Sequence, residues 1–176
     1  GKMIRYFSTV LICLGYIGIL FSQNTYPIIL IHGFLGWGRD EMAGYYYWGG
    51  KTDLETELKS SGYEVYTVSV GPISPNWDRA IEAFYQIKGG QVDYGNEKAE
   101  KHGIIQRPAG KNYPGFYPQW DAEHPVHLIG HSQGGSTAKM LEVLLQNSIT
   151  GADSPLLANV YTGWISSVTT ISTPHN

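Results

Sequence analysis

Cysteine is nearly absent from this sequence of 176 residues, because Cys13 is the single one. A chain with one cysteine cannot form an internal disulfide, which excludes disulfide-stapled folds and dithiol redox chemistry. Charged residues are also scarce, at 15%, and the net charge of −3 gives no reason to expect nucleic acid or an anionic membrane as a partner. The 42% of hydrophobic residues and the 22 glycines are typical of a globular domain with many tight turns.

Residues 1–22 have the layout of a secretory signal peptide. Lys2 and Arg5 precede an apolar stretch over residues 6–21, and a small, polar stretch begins at Ser22. An uncleaved membrane anchor is the alternative, because the apolar stretch is close to the lower limit for a spanning helix. We therefore expect an exported, extracellular protein whose folded domain covers residues 23–176 and, since Cys13 lies in the signal, contains no cysteine.

Short apolar runs alternate with amphipathic stretches along the rest of the chain. This alternation predicts an α/β fold, with a mostly parallel sheet and helices on both faces. Residues 91–124 show no clean period and are interpreted as a long insertion over the core. The sequence stops just after a predicted strand, which suggests that the C-terminal part of the domain is missing. The predicted strands are Ile28–Ile31, 64–70, 126–129 and Ile165–Ile171, and the predicted helices begin at a Thr52 capping box, at Asn76 and at Gly134.

The segment G-H-S-Q-G at residues 130–134 lies between a predicted strand and a predicted helix. This is the context of a nucleophile elbow, in which a serine on a sharp turn projects its hydroxyl above the sheet. Gly130 and Gly134 flank Ser132 because larger side chains would collide with the neighbouring strand and helix. Ser132 is therefore the candidate catalytic nucleophile, and His131 is interpreted as a packing or orienting residue.

The segment H-G-F-L-G at residues 32–36 follows the first predicted strand. Acyl transfer needs hydrogen-bond donors aimed at the oxygen that becomes negative. In an elbow of this kind one donor is the backbone N–H after the nucleophile, here Gln133, and the other comes from the loop after the first central strand, here Phe34. The pair Phe34 and Gln133 is therefore the candidate oxyanion hole.

A serine nucleophile also needs a histidine base and an acid that orients it, in the chain order serine, acid, histidine. After Ser132 the only acids are Glu142 and Asp153, and the only histidine is His175. Glu142 lies on the helix after the elbow, and an Asp153–His175 pair comes early for this fold. We expect both partners beyond Asn176, so that this chain alone would be inactive.

These motifs together resemble the secreted triacylglycerol lipases of the staphylococcal and thermophilic bacillus type. The resemblance extends over residues 26–176 and implies an α/β-hydrolase fold that cleaves esters of long-chain acylglycerols at an oil–water interface, with no specific protein partner. It assigns the nucleophile to Ser132 and the oxyanion donors to Phe34 and Gln133. The segments that carry it include Y-P at 26–27, G-R-D-E at 38–41, Y-W-G-G at 47–50, N-W-D-R-A at 76–80, V-D-Y-G at 92–95, K-H-G at 101–103 and T-P-H at 173–175.

The metal sites of these lipases are only partly matched. The resemblance implies a structural zinc held by two aspartates and two histidines, and Asp78 matches the first aspartate. Lys98 and Ile104 stand at the two histidine positions, while His102 falls at a different position. Lysine and isoleucine cannot replace imidazole as zinc ligands, so we expect no zinc. The family's calcium site and lid helix lie further along the chain.

Alternative functions remain open on the same residues. A short-chain esterase or an acyltransferase would use the same nucleophile and oxyanion hole, and a non-catalytic homologue would keep the fold without the base. The aromatic residues after the first strand either line an acyl pocket or only pack together. They are Phe34, Trp37, Tyr45, Tyr46 and Tyr47.

Overall fold

The computed structural model describes residues 25–175. The predicted signal peptide therefore lies outside the described residues. Within them, no helix combines the length and the apolar character needed to span a bilayer.

A four-stranded sheet with the order β2-β1-β5-β6 organises this region, and every pair of neighbouring strands in it is parallel. The expected mostly parallel sheet with helices is thus confirmed. A second sheet pairs two short antiparallel strands, β3 and β4. The strands are β1 (Ile28–Ile31), β2 (Val65–Val68), β3 (Gly90–Gln91), β4 (Asn112–Tyr113), β5 (Val126–His131) and β6 (Ile165–Ile171), and the helices are α1 (Leu54–Ser60), α2 (Asn76–Lys88), α3 (Asn96–His102), α4 (Gln133–Gln146) and α5 (Pro155–Ala158).

The apolar run of β1 is buried on both faces, as its sequence predicts. Ile29 and Ile31 belong to the main core, with helices α2 and α4. Leu30 points to the opposite face, because side chains alternate along a strand, and is only 2% exposed. Helix α1 lies against β2, while α4 contacts β1, β5 and β6.

The three predicted helix starts are each wrong by one residue, and α4 begins at Gln133 instead of Gly134. Asp53, not Thr52, caps α1, because its carboxylate accepts a hydrogen bond from the backbone N–H of Thr56. Glu55 does not complete the predicted capping box, and its Oε1 pairs with Arg39 and Lys59. Asn76 is the first residue of α2 and Pro75 takes the cap position.

Residues 91–124 are more ordered than their pattern suggests. Helix α3 and strand β4 form within them, although neither was predicted. Trp120 is fully buried, and its ring packs against those of Phe84 and Trp164. The segment therefore supplies part of the core.

Parallel pairing fixes where the candidate site lies. β1 pairs with β5 so that Ile31 is opposite Gly130, and β6 pairs with β5 so that Ile171 is opposite His131. The carboxyl ends of these strands meet at one edge of the sheet, where open α/β sheets bind their ligands. The loops after β1 and β6 therefore flank the turn that follows β5.

Candidate active site

Ser132 occupies the turn between β5 and α4 in a strained backbone conformation. Its φ is 55° and its ψ is −126°, which non-glycine residues rarely adopt. The backbone around it is held on both sides, because Ser132 N–H donates to Ile171 O at 2.9 Å and Thr173 Oγ1 donates to Ser132 O at 2.9 Å. The Ser132 side chain makes no capping hydrogen bond to α4. Its hydroxyl therefore stands at the positive end of a helix without serving as the cap.

Gly130 and Gly134, which flank Ser132, allow neighbouring backbone segments to pack directly against each other. A Cβ added to Gly130 would lie 2.3 Å from the carbonyl carbon of Gly134. A Cβ added to Gly134 would lie 2.1 Å from the carbonyl oxygen of Ile31. Both distances are far below van der Waals contact, so β5, α4 and β1 can approach this closely only with glycine at these two positions.

The loop after β1 lies directly beside Ser132. A Cβ added to Gly33 would lie 2.8 Å from the Cβ of Ser132. Three backbone N–H groups of this loop are occupied: Gly33 N donates to Tyr47 Oη at 2.9 Å, Leu35 N to Pro72 O at 2.8 Å, and Gly36 N to Gly33 O at 3.1 Å.

The N–H of Phe34 is the exception in this loop. Within residues 25–175 it has no hydrogen-bond acceptor, and neither has the N–H of Gln133 at the start of α4. An oxyanion hole requires two donors of this kind, left unpaired by the protein beside the nucleophile. The Gln133 side chain is anchored separately, because its Nε2 donates to Ser74 O at 3.1 Å.

Two buried side chains, His32 and Arg79, bond to the backbone of the loop after β1 and fix its position. His32 is fully buried; its Nδ1 donates to Gly33 O at 2.9 Å and its Nε2 accepts from Val70 N at 3.1 Å. Burial lowers the pKa of His32, so the imidazole is neutral. Arg79 is also fully buried and donates to the backbone oxygens of His32 and Gly71. Burial lowers the pKa of Arg79 to about 10, although three hydrogen bonds satisfy its guanidinium.

The aromatic residues after β1 form one side of a cleft of about 350 Å³ that reaches His131. Phe34 does not line this cleft and is 60% exposed. Four of the five aromatic residues singled out in the sequence are therefore brought together. The lining consists of Trp37, Tyr45, Tyr46, Tyr47, Trp48, Gly49, Gly50 and His131.

Asp153 and His175 are not brought together. Asp153 is hydrogen-bonded to Gln106 at 2.7 Å and to Arg107 at 3.1 Å. The ring nitrogens of His175 instead contact Lys139 and Thr170. This pair therefore cannot act as the base and acid in this arrangement, and Glu142 lies in the second half of α4, away from Ser132.

His124 and Asp121 do form a hydrogen-bonded pair, at 2.9 Å. They precede β5 whereas Ser132 follows it, and a strand of this length separates its two ends by about 20 Å. The pair is therefore too far away to deprotonate Ser132. Neither of these histidine–aspartate combinations within residues 25–175 is placed to act on Ser132, and a base beyond Asn176 stays a prediction.

The residues at the zinc position do not fit the metal. Lys98 on α3 donates to the carboxylate of Asp78 on α2 and forms an ion pair with it. An ammonium group cannot ligate zinc, and here it already occupies the aspartate. Ile104, at the second histidine position, offers no ligand atom.

Sequence reasoning assigned no hydrogen-bonding role to three side chains that shape the site. The Tyr47 hydroxyl, the Arg79 guanidinium and the Thr173 hydroxyl all bond to backbone or side chains next to Ser132 or in the loop after β1. Each lies far along the chain from one of its partners, so no local pattern reports the contact.

Comparison with known proteins places these features in a family context. A family model described as "Lipase-like, C-terminal domain" matches residues 24–176. The chain is 41% identical to Lipase 2 of Staphylococcus aureus over 166 residues, which is 87% of this chain and 24% of that protein. It therefore spans about a quarter of the length of the curated relatives it matches. The resemblance to staphylococcal lipases expected from the motifs is confirmed.

Solved structures show a similar relationship. The structure is similar to EstA from Clostridium botulinum, with a TM-score of 0.79 and 48% identity over 86% of this chain and 36% of that one. It is also similar to Staphylococcus hyicus lipase, with a TM-score of 0.81 and 39% identity over 88% of this chain and 42% of that one.

Proposed function

Because this chain belongs to the family of lipase-like C-terminal domains, we propose that it carries the nucleophile and oxyanion hole of a secreted serine ester hydrolase of the lipase type, on an α/β-hydrolase fold. The observation that carries the proposal is the position of Ser132, strained and beside two unpaired backbone donors, Phe34 N–H and Gln133 N–H. Lipid esters at an oil–water interface are the proposed substrates. The S. aureus and S. hyicus relatives are named lipases, which supports this substrate class.

In the proposed reaction, Ser132 Oγ attacks the carbonyl carbon of the ester while a histidine base takes its proton. The carbonyl oxygen becomes negative and accepts hydrogen bonds from Phe34 N–H and Gln133 N–H. The C–O bond then breaks, the alcohol leaves with the proton from the histidine, and an acyl-enzyme remains on Ser132. Water repeats the sequence and releases the fatty acid.

The base and its acid are proposed to lie in sequence beyond Asn176, as expected above. Two observations support this: Asp153 is held by Gln106 and Arg107, and the His175 ring contacts Lys139. Export through residues 1–22 is part of the same proposal, and the cleft of about 350 Å³ is proposed to take part of the acyl chain.

The full-length exported protein that contains this chain provides the test. We expect a fluorophosphonate probe to label it and Ser132→Ala to abolish both labelling and ester hydrolysis, because the probe needs an activated serine. Ser136→Ala, on the first turns of α4, is the matched control and should label normally. The N-terminal residue of the exported protein reports whether the signal is removed near Ser22.

Three outcomes would oppose the proposal. Unlabelled wild-type protein would favour a non-catalytic homologue, and labelling that persists in Ser132→Ala would place the nucleophile elsewhere. Hydrolysis restricted to short-chain esters, measured on a series of graded acyl length, would favour an esterase.

A further inference from the structure

The Tyr47 hydroxyl joins the two parts of the candidate oxyanion hole. It accepts a hydrogen bond from Gly33 N at 2.9 Å and lies 2.5 Å from His131 Nδ1. Gly33 immediately precedes Phe34, and His131 precedes Ser132 and Gln133 in the elbow. One oxygen atom therefore connects the loop after β1 to the turn after β5, beside both unpaired donors.

The surroundings of Tyr47 fix the position of this oxygen. Backbone hydrogen bonds between Tyr46 and Gly50, at 2.7 and 3.0 Å, close a tight loop that carries Tyr47. Its ring packs edge-on against Trp37 at 5.5 Å and against Trp48 at 5.8 Å, measured between ring centroids. With the ring held on two sides, the hydroxyl has little freedom to leave its partners.

The hydrogen-bond donors and acceptors at this contact allow the Tyr47 hydroxyl to bond to Gly33 and His131 at the same time. A phenol has one proton to donate and lone pairs to accept. Tyr47 Oη can accept the Gly33 N–H and, in the tautomer whose Nδ1 carries no hydrogen, donate its own proton to His131 Nδ1, so both partners are satisfied at once. A phenylalanine at this position would keep the ring and leave Gly33 N–H and His131 Nδ1 without their partner.

We propose that Tyr47 is a positioning residue that sets the distance between the Phe34 and Gln133 N–H groups in the free enzyme, so that the oxyanion hole is formed before substrate binds. This rests on the proposed ester hydrolysis at Ser132. Preformed donors stabilise the transition state most, because no reorganisation is needed when the charge develops. The competing role for Tyr47, suggested by its place in the cleft, is to line the acyl pocket only.

The test is Tyr47→Phe in the full-length enzyme. We expect kcat to fall by about 10- to 100-fold with KM changed by less than about two-fold, because donors displaced by a fraction of an ångström act only on the transition state. Affinity for an alkylboronate should fall in parallel, since its boron bonds to Ser132 Oγ and becomes a tetrahedral anion in the oxyanion hole. Tyr63→Phe, on an exposed tyrosine away from the cleft, is the matched control and should leave both unchanged.

A double-mutant cycle with His131→Ala provides a second measurement. If the hydroxyl acts through His131, Tyr47→Phe should cost less in the His131→Ala background than in the wild type. An unchanged kcat in Tyr47→Phe would overturn the proposal, as would a raised KM with unchanged kcat, which is the signature of a pocket wall. Failure of the proposed function is distinguishable, because wild-type enzyme would then show neither hydrolysis nor probe labelling.

Discussion

Single side chains hold the candidate site together by satisfying backbone groups that the sheet leaves unpaired. His32 is a fully buried example, and its two ring nitrogens bond to the carbonyl of Gly33 and the N–H of Val70. The second bond requires an unprotonated Nε2, since a protonated nitrogen cannot accept. The folded protein therefore depends on the neutral form of this imidazole.

Acidic pH should destabilise the folded protein through His32. Burial lowers the pKa of His32 below its ordinary value of 6.5, the nearby Arg79 acts in the same direction, and Glu41 opposes them. Below about pH 6.5 the unfolded chain thus binds a proton that the folded protein excludes, so stability present above this pH is lost as the pH falls. We expect the melting temperature of the full-length protein to decline from about pH 6.5 downwards, and His32→Gln to flatten that decline.

His102→Gln is the matched control, because His102 is exposed at the end of α3. It should retain the wild-type decline. If His32→Gln does not fold, the ring signals of His32 in the wild type can be followed by NMR. Titration of His32 at or above its ordinary pKa would contradict the prediction.

A salt bridge between Lys98 and Asp78 joins helix α3 to helix α2. It lies at the position where the resemblance to the lipases implies a structural zinc. Lys98 and Asp78 are about four-fifths buried, with 19% and 18% of their side chains exposed.

A second polar cluster attaches residues 91–124 to α2: Glu82 on α2 accepts hydrogen bonds from Tyr94 and Lys111, both at 2.6 Å. Burial is the main reason that the pKa of Tyr94 rises to about 12, so the phenol stays protonated and donates to Glu82. Residues 91–124 are thus attached to α2 by the Lys98–Asp78 ion pair and by the Glu82 cluster.

Metal removal should therefore leave this part of the protein unaffected. We expect a chelator to change the melting temperatures of the wild type and of Asp78→Asn by the same amount, and Lys98→Met to destabilise the fold by roughly 1 kcal/mol, because Asp78 loses its partner. Lys101→Met, on an exposed position of the same helix, should have little effect. A chelator-sensitive melting temperature that becomes insensitive in Asp78→Asn would show that a metal binds there after all.

At the scale of the whole molecule, distant segments of residues 25–175 contribute to a shared apolar core. Phe84 of α2, Trp120 of the 91–124 segment and Trp164 before β6 pack ring against ring, with centroids 5.3 to 6.5 Å apart. The indole N–H of Trp120 donates to Trp164 O at 2.7 Å, so the polar edge of the ring is satisfied as well. The segment with the least regular sequence therefore closes the core.

Truncation of the Trp120 side chain should strongly lower the free energy of unfolding. We expect Trp120→Ala to lower the free energy of unfolding by about 3–5 kcal/mol, because it leaves a large cavity. Phe116→Ala is the control: this ring stacks on Tyr66 but is 42% exposed, and its loss should cost less than about 1.5 kcal/mol. Urea denaturation of the full-length variants measures both values, and equal costs would contradict a core role for Trp120.

The sequence by itself determined the features that are local. The strand, sharp turn and helix around Ser132 are continuous in the chain, so glycine spacing and apolar runs report them directly. The same holds for β1 and for α2, whose ends were predicted to within a residue. Motifs were enough to identify the family because they belong to these contiguous segments.

Only the tertiary structure decided which groups meet across the chain. Tyr47 bonds to His131, and Lys98 to Asp78, because parallel pairing and helix packing bring these pairs together. Periodicity reports which face of an element is buried and carries no information about the partner of a single polar atom. For the same reason the sequence left the role of Tyr47 open between packing and the cleft, and its hydroxyl contacts emerged only from the fold.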